Sequence, residues 1–184
     1  MFNERKVAQM AAYLLTKGGN RMPHLKLMKL LYLADRRSME LYGFPISGDR
    51  IVAMPHGPAL SMTLNLMDGD VESCENGWES WVSDKENHEV SLKREVSLDA
   101  FDELSPTDKD TLDEVWGKFG QMGKWEIRDY THANCPEWKN PNGSSIAIPY
   151  EKVFLALGRT AEEAEELGAR IEAERSLEGI FAGL

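Results

Sequence analysis

The chain is poor in the features that most readily betray a function. Among 184 residues there are only two cysteines, Cys74 and Cys135, so no disulfide scaffold is possible and at most one bridge. Fifteen glycines and eight prolines are too few for a collagenous or low-complexity chain. No run approaches the roughly 18 uninterrupted apolar residues of a membrane span. The opening MFNERKVAQM places charges where a secretory signal would need an apolar stretch. These absences lead to the expectation of a cytoplasmic protein with reduced thiols and no membrane partner. No GxSxG, P-loop, GxGxxG, CxxC or HExxH pattern occurs.

Positive charge is also scarce: 21 basic residues face 31 acidic ones, a net charge of −10. Such a surface repels nucleic acid and favours basic partners. The distribution is uneven. Residues 1–60 carry nine basic and four acidic groups, whereas 61–115 carry four and sixteen.

What is present is mostly helical patterning. Val7, Met10, Ala11 and Leu14 recur at i, i+3, i+4 and i+7, and Gly18-Gly19-Asn20 ends that first helix. A second helix spans about His24 to Tyr42, with Gly43 as its C-terminal cap. Ser47-Gly48-Asp49 is a turn, and Ile51-Val52 favour a strand. Pro58 is expected to open a third helix carrying Leu60, Leu64 and Met67. Two short strands are expected at 78–82 and 89–96, around a turn at 84–87. Ser105-Pro106 starts a helix with Leu112, Val115, Trp116 and Phe119 on one stripe. Further helices follow at 125–131, after Pro149, and after the Thr160/Glu163 capping box, the last with Ala164, Leu167 and Ile171 inward. The expected architecture is mainly α (α+β): a single helical domain over 1–184 with a small antiparallel β-element.

The second helix is the most informative. Leu27, Leu30, Leu31, Ala34 and Leu41 fill one arc, which Met28, Tyr32, Met39 and Tyr42 widen past half the circumference. A helix of that kind packs on two sides and is central. Lys26, Lys29, Arg36 and Arg37 share the remaining face with Leu33, which reads as a solvated face before it reads as a phosphate-binding one. Asp35 lies inside the apolar arc, where a carboxylate needs a partner. Arg50, a loop N–H near Gly57, or His56 is expected to supply it. The plain reading of Asp35 is a structural anchor for the following loop.

Chemistry is weakly signalled. His132-x-x-Cys135 is the only close pair of metal-type ligands, short of the four a structural zinc needs. Cys135 with His132 or His56 lacks a group fixed to activate the thiol. An enzyme using Asp35 with His56 or His132 is the sharpest catalytic alternative. Of five tryptophans, Trp116 and Trp125 are expected in the core; an exposed one among Trp78, Trp81 and Trp138 would be a binding anchor, though Trp138 equally suits pinning a loop. The apolar end of SLEGIFAGL, 176–184, is expected to fold Ile180, Phe181 and Leu184 back over the core.

Residues 29–60, KLLYLADRRSMELYGFPISGDRIVAMPHGPAL, resemble the Panacea domain family, SocA-like antitoxins that also occur as phage-associated proteins. The likeness rests on Lys29 to Asp35, Gly43, Ile46 to Asp49, and Met54 to Pro58. A looser similarity continues through Ser105 and its helix to His132 and Trp138. The resemblance implies an antitoxin of a toxin–antitoxin system that neutralises a cognate protein toxin by direct contact. It also implies, as an alternative, a proteolytic adaptor that delivers the toxin to an ATP-dependent protease such as ClpXP; a nucleic-acid-binding regulator ranks below both. Tyr32, Asp35, Arg36, Arg50, His56 and Trp138 are the residues expected to build the partner-binding surface, with no catalytic residue, metal or cofactor.

Overall fold

The computed structural model describes residues 2–94, 96–97 and 100–181, with side chains described as far as Ser176. Among them are seven α-helices and two small antiparallel sheets, the mainly helical α+β arrangement expected. Helix α1 (Glu4–Lys17) opens with Asn3 accepting from the Lys6 N–H and is buried continuously from Val7 to Leu15. Strand β1 (Arg21–Pro23) leads into α2 (His24–Tyr42), which ends on Gly43 at φ 79°, a left-handed cap that glycine adopts without a Cβ clash. Helix α2 packs against α1, against β1, and against the later elements β3 (Gly57–Leu60), α4 (Pro106–Phe119), α5 (Lys124–Asn134) and α6 (Tyr150–Ala156). It is the central helix its wide apolar arc predicts.

After α2 come β2 (Ile51–Met54), β3 (Gly57–Leu60) and α3 (Ser61–Asp68). Pro58 therefore does not open a helix. It sits in β3 opposite Ala53, and β3 is an edge of the sheet ordered β3-β2-β5. A proline tolerates an edge because no ladder donor is required there. The acidic middle also departs from expectation. Residues 78–80 form one turn of 3-10 helix, and the second expected strand shrinks to β4 (Glu89–Ser91). Strand β4 pairs with β1, in the register Met22 opposite Val90. Only single bridges, such as Val82 to Leu92, remain of the expected hairpin. The Glu4 carboxylate organises this stretch by accepting from the Ser73 hydroxyl and the Cys74 and Trp78 N–H groups.

Helix α4 (Pro106–Phe119) starts on a full capping box between Ser105 and Asp108. Helix α5 (Lys124–Asn134), β5 (Ile146–Ile148), α6 (Tyr150–Ala156) and α7 (Ala161–Phe181) complete the chain. Strand β5 joins β2, with Ile51 opposite Ile148. Ala164 and Ile171 of α7 are buried, and Leu167 is half-buried. The expected placement of Ile180, Phe181 and Leu184 lies outside the described side chains.

The tryptophans are redistributed. Trp78 and Trp81 are buried, Trp116 is half-buried, and Trp125 is 50 % exposed. Trp125 lies about 200° around α5 from Ile127, which with Thr131 forms the buried line of that helix. The sequence pattern places Trp125 in the core; in the structure it points away from that buried line.

Candidate functional site

The polar residues of α2 organise two networks on neighbouring faces of the helix, with Tyr32, Arg36 and Lys29 about 60°, 100° and 120° around from Asp35. The first begins at Asp35, which is fully buried. The Ser47 N–H donates to Asp35 Oδ1 at 2.9 Å, and the Ser47 hydroxyl donates to Oδ2. Neither Arg50, His56 nor a Gly57 N–H is the partner. Arg50 and His56 are both exposed. The carboxylate is met by a local hydroxyl and an N–H from the Ser47-Gly48-Asp49 turn, with Gly48 at φ 65°. The chain of contacts continues. Ser47 Oγ accepts from the Asp49 N–H at 3.0 Å. The Asp49 carboxylate then accepts from the Met62 and Thr63 N–H groups and the Thr63 hydroxyl, supplying the N-terminal cap that Leu60 cannot give α3. Tyr150 of α6 donates to the Asp49 carbonyl at 2.5 Å. Burial pushes Asp35 up to about 7 against the Ser47 hydrogen bonds, and burial raises Asp49 as well.

The second network lies under α5 and the β2–β3 turn. Glu137 Oε1 accepts from the Tyr32 hydroxyl at 2.5 Å and from Arg36 Nε at 2.6 Å. Its side chain is wholly buried, while Arg36 keeps some exposure. Lys29 is buried too, and its ammonium donates to the Pro58 carbonyl at 2.5 Å. Burial brings Lys29 down to about 7, an effect that Cys135 opposes. Cys135 is buried, and its thiol is pushed up to about 11 by burial and then by Glu137. Trp138 Nε1 donates to the Met54 carbonyl at 3.0 Å, and its ring stacks on His132 at 3.9 Å and 5°. The loop-pinning role of Trp138 is thus visible. His132 is held below its ordinary value by burial, then by Arg128 and Lys29.

The basic face of α2 is consequently not a solvated one. Lys26 donates to the Gly120 carbonyl, Lys29 to Pro58, Arg36 to Glu137, and Arg37 to Glu40 and Glu114. Helices α4 and α5 close over the face that amphipathicity alone left to water.

Of the six expected surface residues, Tyr32 and Asp35 are fully buried and present no atoms to a partner. Arg36 and Trp138 are half-buried, and Arg50 and His56 are exposed. Burial corrects the first pair from contact residues to residues that fix loops: Tyr32 through Glu137, Asp35 through Ser47. Glu137 and Ser47 are not among the expected site residues; the signals they carry in sequence are a lone acid between Pro136 and Trp138, and a serine that opens a glycine turn within the Ile46–Asp49 segment.

A large apolar patch does reach solvent at the end of α2. Leu41, Tyr42 and Phe44 are 42, 43 and 46 % exposed, and the Tyr42 and Phe44 rings lie 6.3 Å apart. Leu41, Tyr42 and Gly43 line a cavity of about 360 Å3 with Leu167 and Arg170 of α7.

No curated protein and no solved structure matches the chain. The family described as Antitoxin SocA-like, Panacea domain, matches residues 27–139, from the buried start of α2 to just past Trp138. That span is more than half of the chain and contains both polar networks apart from Tyr150, and on it the protein belongs to the SocA-like Panacea domain family.

Proposed function

We propose that the protein is an antitoxin that neutralises a partner toxin by direct, stoichiometric binding. The observation that carries this reading is the family match over residues 27–139. The polar networks support it in a specific way. Their side chains are spent on fixing loops to α2. Asp35 with Ser47 holds the 46–49 turn, Tyr32 with Glu137 holds the 135–138 segment, and Lys29 and Trp138 hold the β2–β3 hairpin through the Pro58 and Met54 carbonyls, so a docking surface is pre-organised before the partner arrives. Burial leaves the Cys135 thiol protonated, which does not favour a nucleophilic role.

Leu41, Tyr42 and Phe44 form the contact patch in this reading. Large exposed apolar groups grouped together mark interaction surfaces, and tyrosine and phenylalanine are frequent anchors. The net charge of −10 suits a basic toxin and speeds encounter more than it tightens the complex. Arg50 and His56 extend the same binding role to the exposed β2–β3 side.

The test is co-expression with the product of the neighbouring reading frame. Growth arrest by that product alone, relief by this chain, and co-purification of the two support the proposal. A harmless neighbour that does not co-purify removes it. Tyr42→Ala with Phe44→Ala is expected to weaken the complex by at least about tenfold, about 1.4 kcal/mol. Toxin half-life distinguishes mechanisms: occlusion leaves it unchanged, and shortening it only when an ATP-dependent protease is present assigns delivery instead.

A further inference from the structure

Three of the four histidines of the chain meet at one cavity that the networks above do not use. His24 and Leu25 from the first turn of α2, His56 from the β2–β3 turn, His88 from the turn before β4, and Lys124 and Trp125 from α5 line about 260 Å3. The rings are arranged as walls. His24 and His88 stack at 5.9 Å and 28°, and His56 meets Trp125 edge-on at 6.0 Å. His88 adopts φ 63°, so its carbonyl accepts from both the His24 N–H at 3.0 Å and His24 Nδ1 at 2.8 Å. Those contacts fix the His24 ring, with Nδ1 carrying a proton and Nε2 left for another partner.

Among the described residues no carboxylate lines this cavity, in a chain with 31 acidic residues. Of the acids nearest in sequence, Glu89 pairs with Arg21 Nε at 2.6 Å, Glu126 accepts from the Gly123 N–H, and Glu86 is exposed outside the lining. A cation does line it: Lys124, 5.2 Å from the Trp125 ring centre; Arg128, 4.7 Å from the same ring, lies outside the lining and is paired with Asp129 at 2.5 Å. The first turn of α2 adds to this. It is a 19-residue helix with no side-chain cap and no acidic residue at its start, and the His88 carbonyl on the His24 N–H offsets its positive end only in part where Leu25 meets the cavity.

We propose that this cavity binds a small anion carrying a flat apolar body, of the aryl phosphate or aromatic carboxylate class. The anion lies toward Lys124 and the α2 N-terminus, where its charge is favoured. The flat body lies between Trp125 and the imidazole walls, which supply stacking faces. A volume near the small end of ligand pockets limits the occupant to about one ring and its charged group. The site shares His56 with the residues proposed to face the toxin and shares α2 with the Leu41–Phe44 patch, which stands at the other end of that helix; ligand binding here is read without a toxin, so the two proposals fail separately.

Phenyl phosphate is the probe, titrated into the full chain and read by NMR of the histidine rings. His132, stacked on Trp138 outside the cavity, is the internal control. Saturable shifts of His24, His56 and His88 with His132 unmoved are expected, with inorganic phosphate binding more weakly. Trp125 is half exposed, so Trp125→Ala is expected to fold. Trp125→Ala and Lys124→Gln are each expected to weaken binding by about tenfold. The proposal is overturned by no saturable shift up to about 10 mM, where binding is too weak to be specific. It is equally overturned by equal movement of His132, or by unchanged affinity in both variants. Tight Zn2+ binding at the three rings, with phenyl phosphate inert, would reassign the cavity to a metal.

Discussion

Ser47 closes on Asp35 with two donors, its N–H at 2.9 Å and its hydroxyl, across twelve residues of chain. A central helix thereby fixes the loop that follows it without using a charge pair. The same turn passes the constraint on, through Asp49, to α3 and α6. A fault at Asp35 is therefore expected to be felt over several elements.

Asp35→Ala leaves the Ser47 N–H and hydroxyl unpaired in a dry site. It is expected to lower unfolding free energy by about 3 kcal/mol in urea titrations, against about 1 kcal/mol for Asp35→Asn, which keeps an acceptor. Equal effects of the two variants would show that volume, not hydrogen bonding, is what matters there.

Stability is expected to depend on pH in two opposed ways. The folded chain retains the Asp35 proton between the ordinary 3.8 and about 7, where the unfolded chain has lost it. That contribution is complete below about pH 4 and is lost as pH rises through 7. Lys29 behaves oppositely. Between about 7 and the ordinary 10.5 the folded chain has released a proton that the unfolded chain still holds, so stability rises over that range. Urea unfolding across pH should show Asp35→Asn flattening the falling limb in part, since Asp49 titrates in the same direction, and Lys29→Met removing the rising one. Difference profiles that stay flat would contradict both assignments.

Two adjacent arginines are expected to differ sharply. Arg36→Ala strips a wholly buried Glu137 of its cation and should cost about 3 kcal/mol. Arg37 pairs with Glu40 and Glu114, both about half exposed, and Arg37→Ala should cost no more than about 1 kcal/mol. Thermal unfolding of the two variants side by side measures the contrast.

Gly57 stands at φ 98°, and a Cβ there would lie 2.8 Å from Thr131 Oγ1 and 3.1 Å from Lys29 Nζ. Gly69 is also left-handed, at φ 76°, yet a Cβ would meet nothing within 4 Å. Gly69→Ala should cost about 1 kcal/mol from backbone strain alone, and Gly57→Ala clearly more. A similar loss at both positions would mean the Lys29–Pro58 contact yields easily.

Alkylation should separate the cysteines. Cys74 is exposed and Cys135 buried with its thiol raised to about 11. Mass spectrometry after iodoacetamide treatment of the folded chain should find one adduct, on Cys74, and a second only in denaturant.

The helices were legible because their apolar spacing is a local property. Val7 to Leu14, Leu112 to Phe119 and the wide arc of α2 announce helix and inward face together. The unusual place of Asp35 was legible for the same reason. Its partner was not: Arg50, His56 and a loop N–H near Gly57 are all suitable donors by residue type, and which loop folds back onto Asp35 is a matter of chain path, which brings the Ser47 N–H and hydroxyl there. Strands β1 and β5 went unread. Each has three residues, and what makes Arg21–Pro23 or Ile146–Ile148 a strand is pairing with chain far away in sequence.

Residue order alone carries the helical class, the centrality of α2 and the need to satisfy Asp35, which follow from spacing within a few turns, and the family, whose match runs over residues 27–139. Chain packing is what buries Lys29, turns Trp125 to water, and brings three histidines to one cavity with a lysine and, among the described residues, no acid. These depend on which segments of the chain meet. Burial is a property of the neighbours a side chain acquires, and periodicity cannot say which neighbours arrive.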